Sequence, residues 1–513
     1  MPSARLPRTP QRASPESASP ARRARAPRFA PAPAGTVNER ARKRLVAVVL
    51  VIYLLAIFEG SLRKYLAPQL GQYIFFIRDP FLIYAYVLAT RFGLWPRNNG
   101  FFKLSVGMCV FGVVLFALQV AVQGYSDTRV ILGVNGWRSY FLYVPLAFLI
   151  GAQFNKADLT RFAKVTLLLA VPIAVLVALQ FFSPMNSPIN VGIAEEKELQ
   201  FKGMGLDAEH IRATGPFTST AGLQQFVVTA CAFALAWVLL PAAQRKIGIV
   251  PLLAAVGAIL TCVAFSGSRG TLVQCVLMGA VALSIGFIGR GQALKAKALT
   301  LPLSLGAVAA VLYPIVFPAG FAAFMGRWEN AAMSESHIEG GVVGRALYGF
   351  VDFFRLFDVA PLFGFGLGYG SNASIQLRAT VDGVRPGDFV ETDFARHMVD
   401  LGPLFAVGYI AFRVALAFWL ARRVLQATRS VSDPLPMMLL GYAGYTLLLG
   451  QISGNGSINV YGWLFTGLCI AATEVALKSG QPRAAAPAET FSHSRPAPYS
   501  RAPRVRSTAG RRG

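Results

Sequence analysis

Apolar runs long enough to cross a bilayer recur from Leu45 to Leu477, and they constrain the fold more than any other feature. A membrane-crossing helix takes about 20 mostly apolar residues, and inside lipid its backbone polar groups must be satisfied within the helix itself. The chain has 513 residues, of which only 14% are charged although 54% are hydrophobic. A soluble domain carries nearly twice that charge, about 25%. These features predict an all-α polytopic membrane protein. Its spans fall near 45–58, 73–90, 104–122, 136–152, 164–182, 219–239, 247–265, 270–289, 298–318, 402–421, 435–451 and 459–477, about twelve in all.

Charge sets the expected orientation. With the amino terminus inside, the inner connections carry Arg91, Arg97 and Lys103; Lys156 and Arg161; Arg245 and Lys246; Arg290, Lys295 and Lys297; and Arg422, Arg423 and Arg429. Basic loops are retained on the cytoplasmic side during insertion, and about twelve passes return the basic carboxyl terminus to that side. Residues 1–44 and 478–513, rich in Arg, Pro, Ala and Ser, bury too little apolar surface to offset chain entropy and read as disordered cytoplasmic tails rather than nucleic-acid-binding arms. The run from Leu45 reads as a signal anchor. Residues 45–477 then form one membrane domain, with outer loops at 183–217 and 319–400, the larger between spans nine and ten. The five cysteines lie in apolar runs without paired spacing and read as small apolar residues.

The outer ends of the spans nevertheless hold charge. "FEGSLRKYLAPQLGQYIFFIRDP", Phe58 to Pro80, carries Glu59, Arg63, Lys64, Arg78 and Asp79. Arg138, Arg212, Arg269, Arg327 and Arg345 add cations from other segments. Each alone reads as a side chain snorkelling to the interface. Together, on a face where few basic residues are expected, they point to an anion site, since the guanidinium fork bonds two phosphate oxygens at once. Arg78 and Asp79 can also pair with each other. Within "FVETDFARHMVDLG", Asp393, His397 and Asp400 share a helical face. With Glu391 just upstream, they are general-base candidates, or else acids at a capped helix start. "GRALYGFVDFFRLF" reads as a helix lying in the interface or packed on the bundle. "PLFGFGLGYGSN" reads as a tight turn where backbone approaches something closely. His210, His337 and His397 are too scattered for a metal motif.

These segments carry a resemblance. "RATGPFTSTAGLQQF", "TCVAFSGSRGTLV", "APLFGFGLGYG" and "ETDFARHMVDLGPLF" resemble, in order, blocks of the O-antigen ligase and polymerase superfamily. E-G-S-L-R-K-Y-L with I-R-D-P is similar to a subgroup associated with exopolysaccharide or O-antigen polymerisation. The likeness spans roughly residues 45–477. It implies an inverting glycosyltransferase of the bacterial inner membrane that polymerises or ligates undecaprenyl-pyrophosphate-linked oligosaccharide on the periplasmic side, without metal or other cofactor. Its partners would be the bilayer, a glycan or lipid acceptor and other polysaccharide-assembly proteins. Arg212 and Arg269 fall on the family's pyrophosphate-holding arginines. The family's loop histidine aligns with Glu391, which leaves the base open among Glu391, Asp393 and His397. Arg63, Lys64, Arg78, Arg138, Arg327 and Arg345 are the expected substrate-binding cations. The alternative reading is a transporter of polysaccharide intermediates or another anionic solute.

Overall fold

A computed structural model describes residues 36–191, 210–335, 351–371, 373–374, 379–381, 383–385, 390 and 392–480. The described elements are helices, with an isolated β-bridge between Val381 and Val384. The helices are α1 (Thr36–Ser61), α2 (Asp79–Arg91), α3 (Gly100–Gln123), α4 (Asp127–Trp137), α5 (Val144–Gln153), α6 (Lys156–Phe182), α7 (Thr220–Leu239), α8 (Ile249–Ser266), α9 (Arg269–Ile288), α10 (Gln292–Val316), α11 (Pro318–Glu335), α12 (Asp393–Ser430), α13 (Leu435–Leu449) and α14 (Gly456–Ser479). Short turns lie between some of them.

Among the described residues, nine helices are long and apolar enough to cross a membrane. The other expected spans fall on shorter or broken pieces. α2 has 13 residues and rises only about 20 Å. α4 and α5 are separated by a π-helical turn, Arg138–Leu142. α13 has 15 residues. The expected boundary at residue 44 lies inside α1, because the helix begins at Thr36. Arg42 anchors that extension by binding Glu39 one turn back and Asp158 at 2.5 Å. α12 is two helices joined at Gly402, whose φ of 76° and following Pro403 make a kink where span ten was expected to begin.

α14 lies at the centre. Apolar on every face, it is buried almost along its whole length. It packs on α5 through small residues: a Cβ on Gly467 would come within 2.8 Å of the Ala147 carbonyl, and one on Gly151 within 2.5 Å of Ile470. Close backbone approach is how helices associate where lipid supplies no hydrophobic drive. At the rim, α10 is more apolar still, yet its apolar stretch is not buried within the bundle.

Polar contacts gather at the two ends of the bundle. One end holds Arg42–Asp158, Gln153 donating to the Leu94 carbonyl and Arg290 donating to that of Ser430. The other holds Lys64 with Thr214, Arg138 with Asp79, and Gln119 with the Phe363 carbonyl. Every segment expected at the outer face contributes to this second end, apart from those outside the described residues.

Candidate functional site

The stretch after α1 links two segments far away in sequence. α1 runs into a wider π-helical turn, Leu62–Leu66, which carries Arg63 and Lys64. Such turns interrupt the helical register and re-aim side chains. Arg63 stays 3.7 Å from Glu59. Lys64 is buried and donates to Thr214 Oγ1 (2.7 Å) and to the Phe217 carbonyl (2.5 Å). Gly60 lies directly beneath that loop: a Cβ there would be 2.4 Å from the Pro216 oxygen and from the Phe217 carbonyl carbon. Only glycine fits.

Arg78 and Asp79 do not pair with each other. Nε of Arg78 lies 3.0 Å from Glu59, and its Nη1 donates to the Gly456 carbonyl. Asp79 accepts from Arg138 Nε at 2.5 Å and from Tyr143 Oη at 2.8 Å. The Arg138 guanidinium lies over the Phe75 ring, 4.6 Å from its centroid. Arg63, Arg78 and Arg138 thus share the carboxylates of Glu59 and Asp79, leaving one cation in excess. Arg63 has the longest ion pair of the set, and its buried Nε makes no hydrogen bond. Pairing is needed here because desolvated charges without partners cost several kcal/mol each.

Arg212 and the Ser268–Arg269 turn both meet the first turns of one helix. Arg212 Nη2 donates to Thr220 Oγ1, at the first residue of α7 (3.2 Å). Beside Arg269, Ser268 caps α9 and donates to Gln224 Oε1 (3.3 Å), one turn along α7 from Thr220. The Arg269 guanidinium lies 5.8 Å from the Trp328 ring centroid. Ser219, the residue preceding α7, makes no side-chain cap, so the positive end of that helix dipole is not consumed by the usual oxygen. The Arg212 segment is held from below by Gln180, whose Oε1 accepts from the backbone N–H groups of Thr214 and Gly215 (3.2 and 2.7 Å). A recess here is lined by Lys64, Gln180, Asn190, Ile211, Arg212 and Thr214. None of its lining residues comes from the start of α12.

That start is a closed network. Thr392 caps it by accepting from the Ala395 N–H. Asp393 accepts from Arg413 Nη1 (2.5 Å), Ser453 Oγ (2.7 Å), Arg396 (3.2 Å) and the N–H groups of Ile452 and Ser453. His397 is fully buried; its Nε2 lies 2.9 Å from Arg413 Nη1 and its Nδ1 3.1 Å from Tyr140 Oη. Arginine can only donate, so Nε2 accepts and the imidazole proton sits on Nδ1. Tyr140 in turn donates to Asp400 Oδ2 (3.0 Å), whose other oxygen takes the Gly370 N–H (2.6 Å). Asp393 and His397 therefore serve as anchors for their neighbours, and neither presents a lone pair to solvent. Asp400 is likewise engaged on both oxygens.

The glycine loop meets this network. Gly364, Gly366 and Gly368 all have positive φ. A Cβ on Gly368 would be 2.2 Å from the Leu132 oxygen. Gln119 ties the loop down, donating to the Phe363 and Asp400 carbonyls and accepting from the Leu367 N–H. The described part of "GRALYGFVDFFRLF" is a short 3-10 turn, Asp352–Leu356. There Asp352 is buried and accepts from Thr392, so this part packs on α12. The Arg345 and Glu391 positions, and the side chain of Arg327 on α11, lie outside the described residues.

Sequence reasoning passed over Arg396, Arg413, Tyr140, Gln180 and Ser453. Arg413 had a readable signal: it stands alone among apolar residues in "AFRVALAF", and a charge inside a span calls for a named partner. Among the described residues no group of His, Cys, Asp or Glu is arranged to hold a metal ion. No family model matches the chain, and no curated protein matches it.

Proposed function

We propose that the chain is a membrane glycosyltransferase acting on a glycan carried by a polyprenyl diphosphate, in O-antigen or exopolysaccharide assembly at the outer face of a bacterial inner membrane. The observation that carries this reading is that two arginine-bearing segments meet one helix start: Arg212 donates to Thr220 at the first residue of α7, and Ser268, next to Arg269, donates to Gln224 one turn along it, while Ser219 makes no side-chain cap. Guanidinium forks brought to a helix amino terminus suit a diphosphate. In the reaction, an acceptor hydroxyl oxygen bonds to the anomeric carbon from the face opposite the diphosphate. The bond from that carbon to the diphosphate oxygen breaks, and the polyprenyl diphosphate leaves with the electron pair. Arg212 and Arg269 stabilise the charge growing on the leaving oxygen. The hydroxyl proton goes to Glu391, because Asp393 and His397 are already engaged on every side.

The test uses purified protein in vesicles with a labelled polyprenyl-diphosphate glycan. Arg269→Ala is expected to reduce transfer roughly a hundredfold or more, as removal of a preorganised charge stabiliser does. Arg269→Lys should recover only part, since the fork is lost. Undiminished product with either variant would overturn the reading.

A transporter is the second reading, favoured by one observation. The helices break at Arg138–Leu142 and at Gly402, and the broken segments carry the buried pairs Arg138–Asp79 and Arg413–Asp393; transporters build substrate sites at interrupted helices. In the same vesicles, movement of label between leaflets without new glycosidic bonds would assign transport.

A further inference from the structure

Arg129 stands outside every group described so far. It lies in the first turn of α4 and is only 7% exposed. Its Nη1 donates to Gln123 Oε1 at 2.5 Å, and Gln123 Nε2 donates to the Gly364 carbonyl at 2.7 Å. The guanidinium lies over the Tyr369 ring, 5.8 Å from the centroid. Its buried Nε makes no hydrogen bond, and among the described residues no carboxylate pairs with it. Asp127, two residues earlier, is exposed and accepts from Tyr125 instead. The next arginine along the glycine loop, Arg396, is committed to Asp393 and the Gly370 carbonyl. Arg78, Arg138 and Arg413 each have an acid at hand.

A desolvated cation without a counter-charge is costly, and most proteins pair it or leave it in water. Arg129 has neither. With one face on Tyr369 and Nη1 held by Gln123, the Nε side of the fork is fixed in orientation and empty of partners. That edge takes a planar carboxylate side-on through two parallel hydrogen bonds. A single uncompensated cation balances one negative charge, which matches a carboxylate better than a phosphate monoester dianion. The residues just before it, Tyr125 to Thr128, are exposed, so the buried guanidinium lies close beneath the surface. The site lies against the glycine loop, through Gln123 on the Gly364 carbonyl and through the Tyr369 ring.

We infer that Arg129, oriented by Gln123 and Tyr369, binds the carboxylate of an acidic sugar. The proposed function supplies only the expectation that the ligand is a sugar; binding at Arg129 needs no glycosyl transfer. The experiment uses the full chain in nanodiscs of zwitterionic lipid. Melting temperature is followed against sodium glucuronate, inorganic phosphate and glucose at matched ionic strength. Glucuronate should raise the melting temperature by mass action while glucose does not. Arg129→Gln should abolish the shift, and Arg129→Lys should weaken binding roughly tenfold by losing one charge-assisted bond. The Arg212→Ala/Arg269→Ala double variant should retain the shift, which separates this site from the transfer chemistry. Absence of a glucuronate shift in the unaltered protein overturns the inference, even should Arg129→Gln fail to fold. So does an equal shift in Arg129→Gln, or a shift with phosphate alone.

Discussion

At the scale of single residues, partners are the informative quantity. Asp393 and His397 carried the expectation of base chemistry, yet both are spent on hydrogen bonds to Arg413, to Ser453 and to Tyr140. Arg413 holds them together while also donating to the Leu447, Thr446 and Gly450 carbonyls. Replacing Arg413 with Ala should cost about 3–5 kcal/mol, because it leaves the Asp393 carboxylate buried without its main cation. Thermal unfolding in detergent measures this. His397→Gln should lose about 1–2 kcal/mol by breaking the chain from Arg413 to Tyr140, while transfer per folded molecule stays within roughly twofold. A variant of unchanged stability and lost turnover would return His397 to the chemistry. Spacing in the sequence correctly placed Asp393, His397 and Asp400 on one helix face. It was blind to Arg413 and Tyr140, which reach that face from 16 and 257 residues away. Pair contacts of that kind leave no local pattern.

At the scale of elements, the junction of α1 with the Ile211–Phe217 loop is a tightly constrained contact. Gly60 meets backbone atoms of that loop, and backbone cannot move aside as a side-chain tip can. Gly60→Val should therefore displace Arg212 and reduce transfer, while helix content by circular dichroism stays near that of the unaltered protein. Ser61→Ala removes only the bond to the Pro216 carbonyl and is the control. Undisturbed transfer in Gly60→Val would mean that the loop does not hold the substrate. Gly402 makes a different demand. With φ at 76° and the Leu362 oxygen 2.2 Å from its Cβ position, Gly402→Ala adds strain of about 1–3 kcal/mol and unseats the glycine loop from α12. The sequence pointed to the glycines of "PLFGFGLGYGSN" as a tight turn, because that residue type has few other uses there. The two π-helical turns were invisible in it, since the extra residue per turn answers to packing and not to composition.

At the scale of the whole molecule, apolar run length was the most legible feature, and it recovered the all-helical membrane fold. The expected passes that do not fall on a single long helix, at α2, α4 with α5, and α13, are those whose helices are short or broken. Run length measures hydrophobicity and does not register an interruption by a π turn. Orientation is the remaining global prediction, and the segregation of contacts makes it sharp. Arg290 donates to the Ser430 carbonyl and Ser432 to that of Arg290, so this corner belongs to one face. Tyr125 lies at the other end with Asp127, fully in the open. The basic loops predict a cytoplasmic Ser432 corner. In a chain with its five cysteines replaced, a cysteine at Ser432 should resist a membrane-impermeant maleimide in intact cells and react after lysis. A cysteine at Tyr125 should react in intact cells. Labelling in the reverse order would invert the molecule and put Arg212 and Arg269 on the cytoplasmic side. A transferase building extracellular polymer could not then use them, even if every contact within the bundle stayed as it is.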